Sequence, residues 1–148
     1  MGGHGDPDSL TGEVLENVTV RNIDILEHDE DDPLYQGSMN IDCGDNNIVR
    51  NVLFEDIRVE SIQEGRLFCL KVLYNPKYNK APGNSIEEIT FRNITYDGVG
   101  ENTSLIKGID ENHSVRNITF ENVVINGKRM KDVNEFITNE FIKDIKVK

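Results

Sequence analysis

The sequence predicts an all-β protein, a right-handed single-stranded parallel β-helix (a solenoid) of about four to five coils. Three observations lead there. One pattern is written four times, as VLENVTVRNIDI (Val14–Ile25), IVRNVLFEDIRV (Ile48–Val59), SIEEITFRNITY (Ser85–Tyr96) and SVRNITFENVVI (Ser114–Ile125). Each copy alternates apolar and polar residues, the two-residue period of a half-buried strand. Asn or Asp breaks that alternation at one fixed place, at Asn22, Asp56, Asn93 and Asn122.

Aligned on Val18, Val52, Ile89 and Ile118, the copies agree column by column. Leu15, Val49, Ile86 and Val115 stand three residues earlier, and Val20, Phe54, Phe91 and Phe120 stand two later. Ile23, Ile57, Ile94 and Val123 follow the Asn/Asp column, and a fifth copy begins with Ile142, Ile145 and Val147. The copies lie 34, 37, 29 and 27 residues apart. Self-similarity at that period marks a solenoid, whose coils bury their apolar edges only against one another. Asn and Asp tolerate left-handed backbone angles and bond their own backbone, so they suit a bend between two short strands. Stacked coil on coil, Asn22, Asp56, Asn93 and Asn122 are expected to form a ladder inside the wall. Leucine-rich repeats combine similar elements, but here the Asn falls one position early, leucine is sparse and no coil contains a helical stretch.

Taken in order, residues 1–12 (MGGHGDPDSLTG) read as an N-terminal loop or tag-like segment, and residues 13–148 as the coils. Glu27–Asp32, closed by Pro33, is an acidic loop. Ser38–Cys43, Leu67–Leu73 and Ser104–Asp110 each read as a further strand of their coil, with Tyr74–Asn84 a longer polar excursion between copies. The tail carries one more expected strand at Glu135–Phe141 before the unfinished fifth copy. Leu15, Val18 and Val20 form an apolar edge that solenoids normally cap. The Gly-rich start is a poor cap, so the expectation is a homo-oligomer through that end or, preferably, membership in a longer β-helix.

With 36% hydrophobic residues and no Trp, the core must be long, thin and built of Val, Ile and Phe. The 148 residues carry 16 basic and 27 acidic side chains, a net charge of −11, which disfavours nucleic acid, anionic membranes and strongly polyanionic substrates. Cys43 and Cys69 lie in apolar strand-like runs and read as buried free thiols. No signal peptide or membrane-spanning run is visible, which leaves localisation open.

Several residues carry candidate chemistry. Asp42 and Asp45, in Ile-Asp-Cys-Gly-Asp, read either as sugar-hydroxyl ligands with acid/base capacity or as a solvent-facing residue and a turn cap. Lys71, alternating with Cys69, points toward a groove. Tyr35, Tyr74 and Tyr78 follow strands on loops, where they can stack on sugar rings or pack on the coil. His28 with Asp29, Asp31 and Asp32 offers donors to a hard cation, though a solvated acidic loop reads the same way; no metal or cofactor is assigned. His113 reads as a turn residue. The sequons at Asn17, Asn93, Asn102, Asn112 and Asn117 largely coincide with repeat columns, which suggests stacking Asn.

The repeat N-[VI]-T-[VF]-x-N-[IV], with YQGSMNIDCGDNNIVRNVLFEDIRVE and LYNPKYN, resembles the polygalacturonase-type β-helices of glycoside hydrolase family 28, in the pectate-lyase-like superfamily. The likeness covers Val14 to Lys148 and is to the family's last coils. It implies inverting hydrolysis of a polysaccharide, in which one carboxyl protonates the glycosidic oxygen and another activates water. The family's site combines Asn-Thr-Asp, Asp-Asp, Gly-His-Gly and Arg-Ile-Lys motifs. Gly3-His4-Gly5 matches the third, 13 residues before Asn17, and makes His4 a catalytic candidate beside Asp42 and Asp45. The nearest counterpart of the first is Asn102-Thr103-Ser104, at the wrong end, and Asp31-Asp32 belongs to a loop. Where Arg-Ile-Lys would fall stands Asn40-Ile41-Asp42. Asp42 would repel the galacturonate carboxylate that Arg or Lys would pair with. The expected ligand is therefore a neutral or modified oligosaccharide, with Asn40, Lys71 and the three tyrosines as binding residues and no hydrolysis by this chain alone. The alternative is a non-catalytic carbohydrate-binding or assembly module.

Overall fold

The computed structural model describes residues 1–6, 11–31, 35–99 and 103–148. Among these there are nine strands and no helix, hence no helix long and apolar enough to cross a membrane. The four repeat copies are β1 (Val14–Ile25), β3 (Ile48–Val59), β5 (Ser85–Tyr96) and β7 (Ser114–Ile125), joined in parallel in that order. Their register is the sequence alignment itself: Val18 pairs Val52, Val52 pairs Ile89, and Ile89 pairs Ile118. A second parallel ribbon joins β2 (Gly37–Cys43), β4 (Arg66–Val72) and β6 (Leu105–Lys107). An all-β chain with two parallel ribbons built from successive copies is consistent with a β-solenoid.

The repeat strands bend because specific residues take left-handed angles. Asn22, Asp56, Asn93 and Asn122 have φ between 53 and 56°. At each, two consecutive residues point outward and the inward sequence resumes one step late, as at Phe120 (buried), Glu121, Asn122 and Val123 (buried). A second bend escaped the sequence reading: Asn17, Asn51, Glu88, Asn117 and Asp144 take φ of 51–60°. The Asn/Asp file also lies elsewhere than expected, on the solvent side of the wall. Asn93 Nδ2 donates to Asp56 Oδ1 (2.8 Å) and Asn122 Nδ2 to Asn93 Oδ1 (2.9 Å), all exposed. Bending outward exposes the side chain of the corner residue and frees the interior for apolar columns.

Those columns form the core. Phe54, Phe91 and Phe120 stack at 5.1 Å between centroids, and Phe68 from the second ribbon meets Phe91 edge-on at 4.7 Å. Such ring pairs add about 0.5–1.5 kcal/mol each beyond burial. Cys43 and Cys69 are buried free thiols, pushed up to about 12 and about 11 chiefly by burial. The tail departs from expectation. Glu135–Phe141 is not a strand; Phe136 packs against the core and Ile137 makes a single bridge to Leu105. A short antiparallel pairing of β8 (Lys128–Arg129) with Val124 and Ile125 precedes it, and β9 (Ile142–Val147) then covers Val115–Phe120.

The two ribbons end differently at the first coil. Met1–Gly5 runs along β2: the Met1 amino group donates to the Asn40 carbonyl, Asp42 N to the Met1 carbonyl (3.1 Å) and Gly44 N to the Gly2 carbonyl (3.0 Å). That segment, expected to be a loose tag, occupies the place of a preceding coil on β2, whose apolar residues Met39, Ile41 and Cys43 are fully covered. β1 has no such neighbour among the described residues; Leu15, Val18 and Val20 are half-buried, and Val14 and Ile23 are 50% and 37% exposed. Pro7, Asp8, Ser9, Leu10, Asp32, Pro33, Leu34, Gly100, Glu101 and Asn102 lie outside the described residues, so the Asp32, Pro33 and Asn102 readings do too.

Candidate functional site

Most of the candidate residues converge on one cleft of about 170 Å³, lined by Gly3, His4, Tyr35, Lys71, Tyr74 and Tyr78 with Leu73, Asn75 and Asn79. Each arrives from a different element. The N-terminal segment brings His4, the approach to β2 brings Tyr35, β4 brings Lys71, and the excursion after β4 brings Tyr74 and Tyr78. That excursion is held tight by a turn at Pro76. Tyr78 N and Asn79 N donate to the Asn75 carbonyl at 2.8 and 2.7 Å, and Lys77 N donates to Asn75 Oδ1 (3.1 Å). An Asn before Pro favours such a turn because its side chain caps the backbone two residues on. Tyr35, Tyr74 and Tyr78 remain 46%, 50% and 58% exposed, so they face the cleft rather than pack into the coil.

Lys71, which lines the cleft, and Asp42, which does not, are neighbours across the second ribbon, paired in register, with Lys71 Nζ 3.5 Å from Asp42 Oδ1. Lys71 also hydrogen-bonds the Tyr35 carbonyl and lies 4.3 Å from the Tyr35 ring centroid. Tyr35 thereby closes over a neutralised pair. Asp42 is buried, not solvent-facing. Burial pushes its carboxyl above the ordinary range, while the Lys71 charge and the Asn40 amide pull it back. Burial, with help from the Asp42 charge, also raises the Tyr35 phenol. Asn40 stands two residues before Asp42, and its Oδ1 is buried without a hydrogen-bond partner among the described residues.

Asp45 has another task. It sits left-handed (φ 52°) in the turn after β2 and is nearly fully buried. Its Oδ1 accepts from Lys80 N (2.8 Å), and its Oδ2 accepts from Asn79 Nδ2 (3.1 Å) and Gly5 N (3.2 Å). Burial alone would raise its carboxyl, but these donors outweigh it and hold the carboxyl below the ordinary range. Asp45 therefore ties the N-terminal segment, the tyrosine loop and its own turn together. His4, with its side chain 66% exposed, places Nδ1 at 3.8 Å from Asp45 Oδ2, beyond hydrogen-bond distance. Gly44 is required here: a Cβ would stand 2.5 Å from the Gly3 carbonyl and 2.6 Å from Asn79 Nδ2.

Asn79 is the main residue that sequence reasoning missed. It is buried, and it bridges the Gly3 carbonyl (2.9 Å) and Asp45. His28 and His113 lie outside the cleft. His28 Nε2 is buried against Gly65, and His113 Nδ1 lies 2.8 Å from Asp110 Oδ1, a hydrogen bond that holds the Asp110 carboxyl below its ordinary range. No group of three or more His, Cys, Asp or Glu side chains among the described residues is arranged to hold a metal ion. The chain matches no protein-family model, no curated protein and no solved structure.

Proposed function

We propose that this chain is a right-handed parallel β-helix, with four coils and the start of a fifth, that binds a neutral oligosaccharide in the tyrosine cleft. Right-handedness follows from the near-universal hand of crossovers between parallel strands in one sheet. The observation that carries the ligand class is the combination at the cleft: three exposed tyrosine rings around a cation that Asp42 and Tyr35 already engage. Tyrosine offers a flat apolar face and a hydroxyl at its tip, which suits the C–H face and hydroxyl rim of a sugar. Lys71 is engaged by Asp42 at 3.5 Å, and Lys77 Nζ lies 4.8 Å from the Tyr78 ring centroid, so each of these cations already meets a carboxylate or a ring face rather than standing free for a uronate.

In its wider role the chain is the C-terminal part of a polygalacturonase-like glycoside hydrolase. The Gly3-His4-Gly5 match and the placement of His4 at the cleft mouth support this reading. The second reading, a non-catalytic carbohydrate-binding module, is favoured by Asp45, whose hydrogen bonds are committed to holding loops. Both readings share the binding step. The protein has no Trp, and three of its four Tyr line the cleft, so ligand-induced changes in intrinsic fluorescence report chiefly on the cleft. Neutral oligosaccharides are expected to perturb that emission saturably, with Tyr74→Ala weakening binding about tenfold, a loss of about 1.4 kcal/mol. Polygalacturonate is expected to show neither binding nor release of reducing sugar. If no neutral glycan perturbs the emission while oligogalacturonates do, the assignment is wrong.

A further inference from the structure

Two side chains that can carry positive charge, Lys71 and His4, line the cleft, and no Asp or Glu does. Each faces a carboxylate set behind the lining. Lys71 Nζ stands 3.5 Å from Asp42 Oδ1, and His4 Nδ1 stands 3.8 Å from Asp45 Oδ2. The charge that a ligand meets is therefore decided by two acids it does not touch.

The two acids differ in their donors. Asp45 accepts from Lys80 N, Asn79 Nδ2 and Gly5 N, which hold its carboxyl below the ordinary range. Asp42 is only 6% exposed, yet its Oδ1 accepts no hydrogen bond among the described residues. A buried carboxylate short of donors leans on neighbouring charge to stay ionised. Around it stand Lys71 on β4, the Met1 amino group on the N-terminal segment and the Asn40 amide on its own strand, with the Tyr35 phenol and the thiols of Cys43 and Cys69 nearby. Lys71 has a second anchorage. It hydrogen-bonds the Tyr35 carbonyl and lies 4.3 Å from the Tyr35 ring centroid, so it stays at the cleft whichever state Asp42 adopts.

We infer that Asp42 is the specificity-determining residue of the cleft, acting through Lys71, and that one proton on it changes the charge a ligand must carry. Ionised, Asp42 cancels Lys71 and the cleft takes a neutral sugar. Protonated, it leaves the Lys71 charge uncompensated, and the cleft takes the same sugar bearing one anionic group. This rests on the oligosaccharide reading above. Burial raises the Asp42 carboxyl against the pull of Lys71, Asn40 and the Met1 amino group, so the change begins at a higher pH than for an exposed Asp, whose ordinary value is 3.8. Asp45, with its lowered carboxyl, keeps its charge over that window.

Titration calorimetry of the whole chain tests this with cellotetraose, xylotetraose and galactotetraose, each beside a preparation carrying one sulfate ester per chain. The ester stays ionised as the pH is lowered from neutrality toward 3.8. At neutral pH the neutral form is expected to bind better. On acidification the sulfated form is expected to gain about tenfold relative to it, an advantage that shrinks in about 0.5 M NaCl. Asp42→Asn, of nearly the same shape, is expected to show that gain already at neutral pH and to flatten the pH profile. Adding Lys71→Gln to it is expected to remove the gain, which a merely structural role for Asp42 would not produce. Should Asp42→Asn fail to fold, the wild-type profile decides, because His4→Gln is expected to leave the acid-induced gain in place. A neutral sugar that binds with a ratio to its sulfated form constant across pH overturns the proposal and spares the oligosaccharide reading. So does a pH response that survives Asp42→Asn or vanishes in His4→Gln. Binding of neither form at any pH overturns both.

Discussion

Asp45 shows how a residue can be conspicuous in the sequence for one reason and matter in the fold for another. Its three backbone and side-chain donors come from segments 34 to 40 residues away. Hydrogen bonds to a buried charge contribute about 1.5–3 kcal/mol each before partial compensation. Asp45→Ala is therefore expected to cost about 3 kcal/mol in urea unfolding at neutral pH and to release the tyrosine loop. The sign with pH follows from its lowered carboxyl: the stabilisation is fully present above the ordinary value of 3.8 and is lost as pH falls through the lower folded-state value. The wild-type advantage over Asp45→Ala should accordingly shrink in acid. Asp42 works the other way. Its raised carboxyl makes the fold lose stability as pH climbs from 3.8 through the folded value. At this scale the sequence was partly readable. Tyr35, Tyr74, Tyr78 and Lys71 were legible because position after a strand and two-residue alternation say which way a side chain faces. Asn79 and the packing of Met1–Gly5 were not, because the bond from Asn79 to Gly3 spans 76 residues and leaves no local pattern.

Among the elements, the bend files decide the shape of each strand. A non-Gly residue in left-handed geometry costs about 1–2 kcal/mol, less for Asn and Asp. Asn93→Ala should destabilise by about that amount in thermal or chemical melts, with Asn93→Gly recovering much of it. Glu88 is the one member of the other bend file that is neither Asn nor Asp, yet it holds φ 58° between Asn51 and Asn117. Glu88→Asn is expected to stabilise by about 0.5–1 kcal/mol. Strand existence, order and register were legible because four copies repeat the same columns. The second bend was hidden because Glu88 breaks its column, and a polar residue before an apolar one looks like ordinary alternation. The tail misled for a related reason: Phe136 and Ile137 are apolar neighbours that cover the end of the core without needing a ladder of their own.

Over the whole molecule, stability is shared between neighbouring repeats and so declines toward β1, which is an edge strand among the described residues. Phe91 lies between Phe54 and Phe120 with no exposure, whereas Val20, the first residue of that file, is half-buried. Phe91→Ala should cost about 3–5 kcal/mol and Val20→Ala under about 1.5 kcal/mol, read as shifts in denaturant midpoint. Equal losses would mean that β1 is as well covered as the middle of the stack.

Coil lengths of 34, 37 and 29 residues coexist with an unbroken register, so the surplus is absorbed outside the ribbons. The longest of these intervals contains the Tyr74–Asn84 excursion, which builds one wall of the cleft. Frame and fittings are thus separable in this architecture. A different insert spliced between β4 and β5 would meet the same anchorage at Asp45 and Gly44, and recognition could be refurnished without re-laying the rungs.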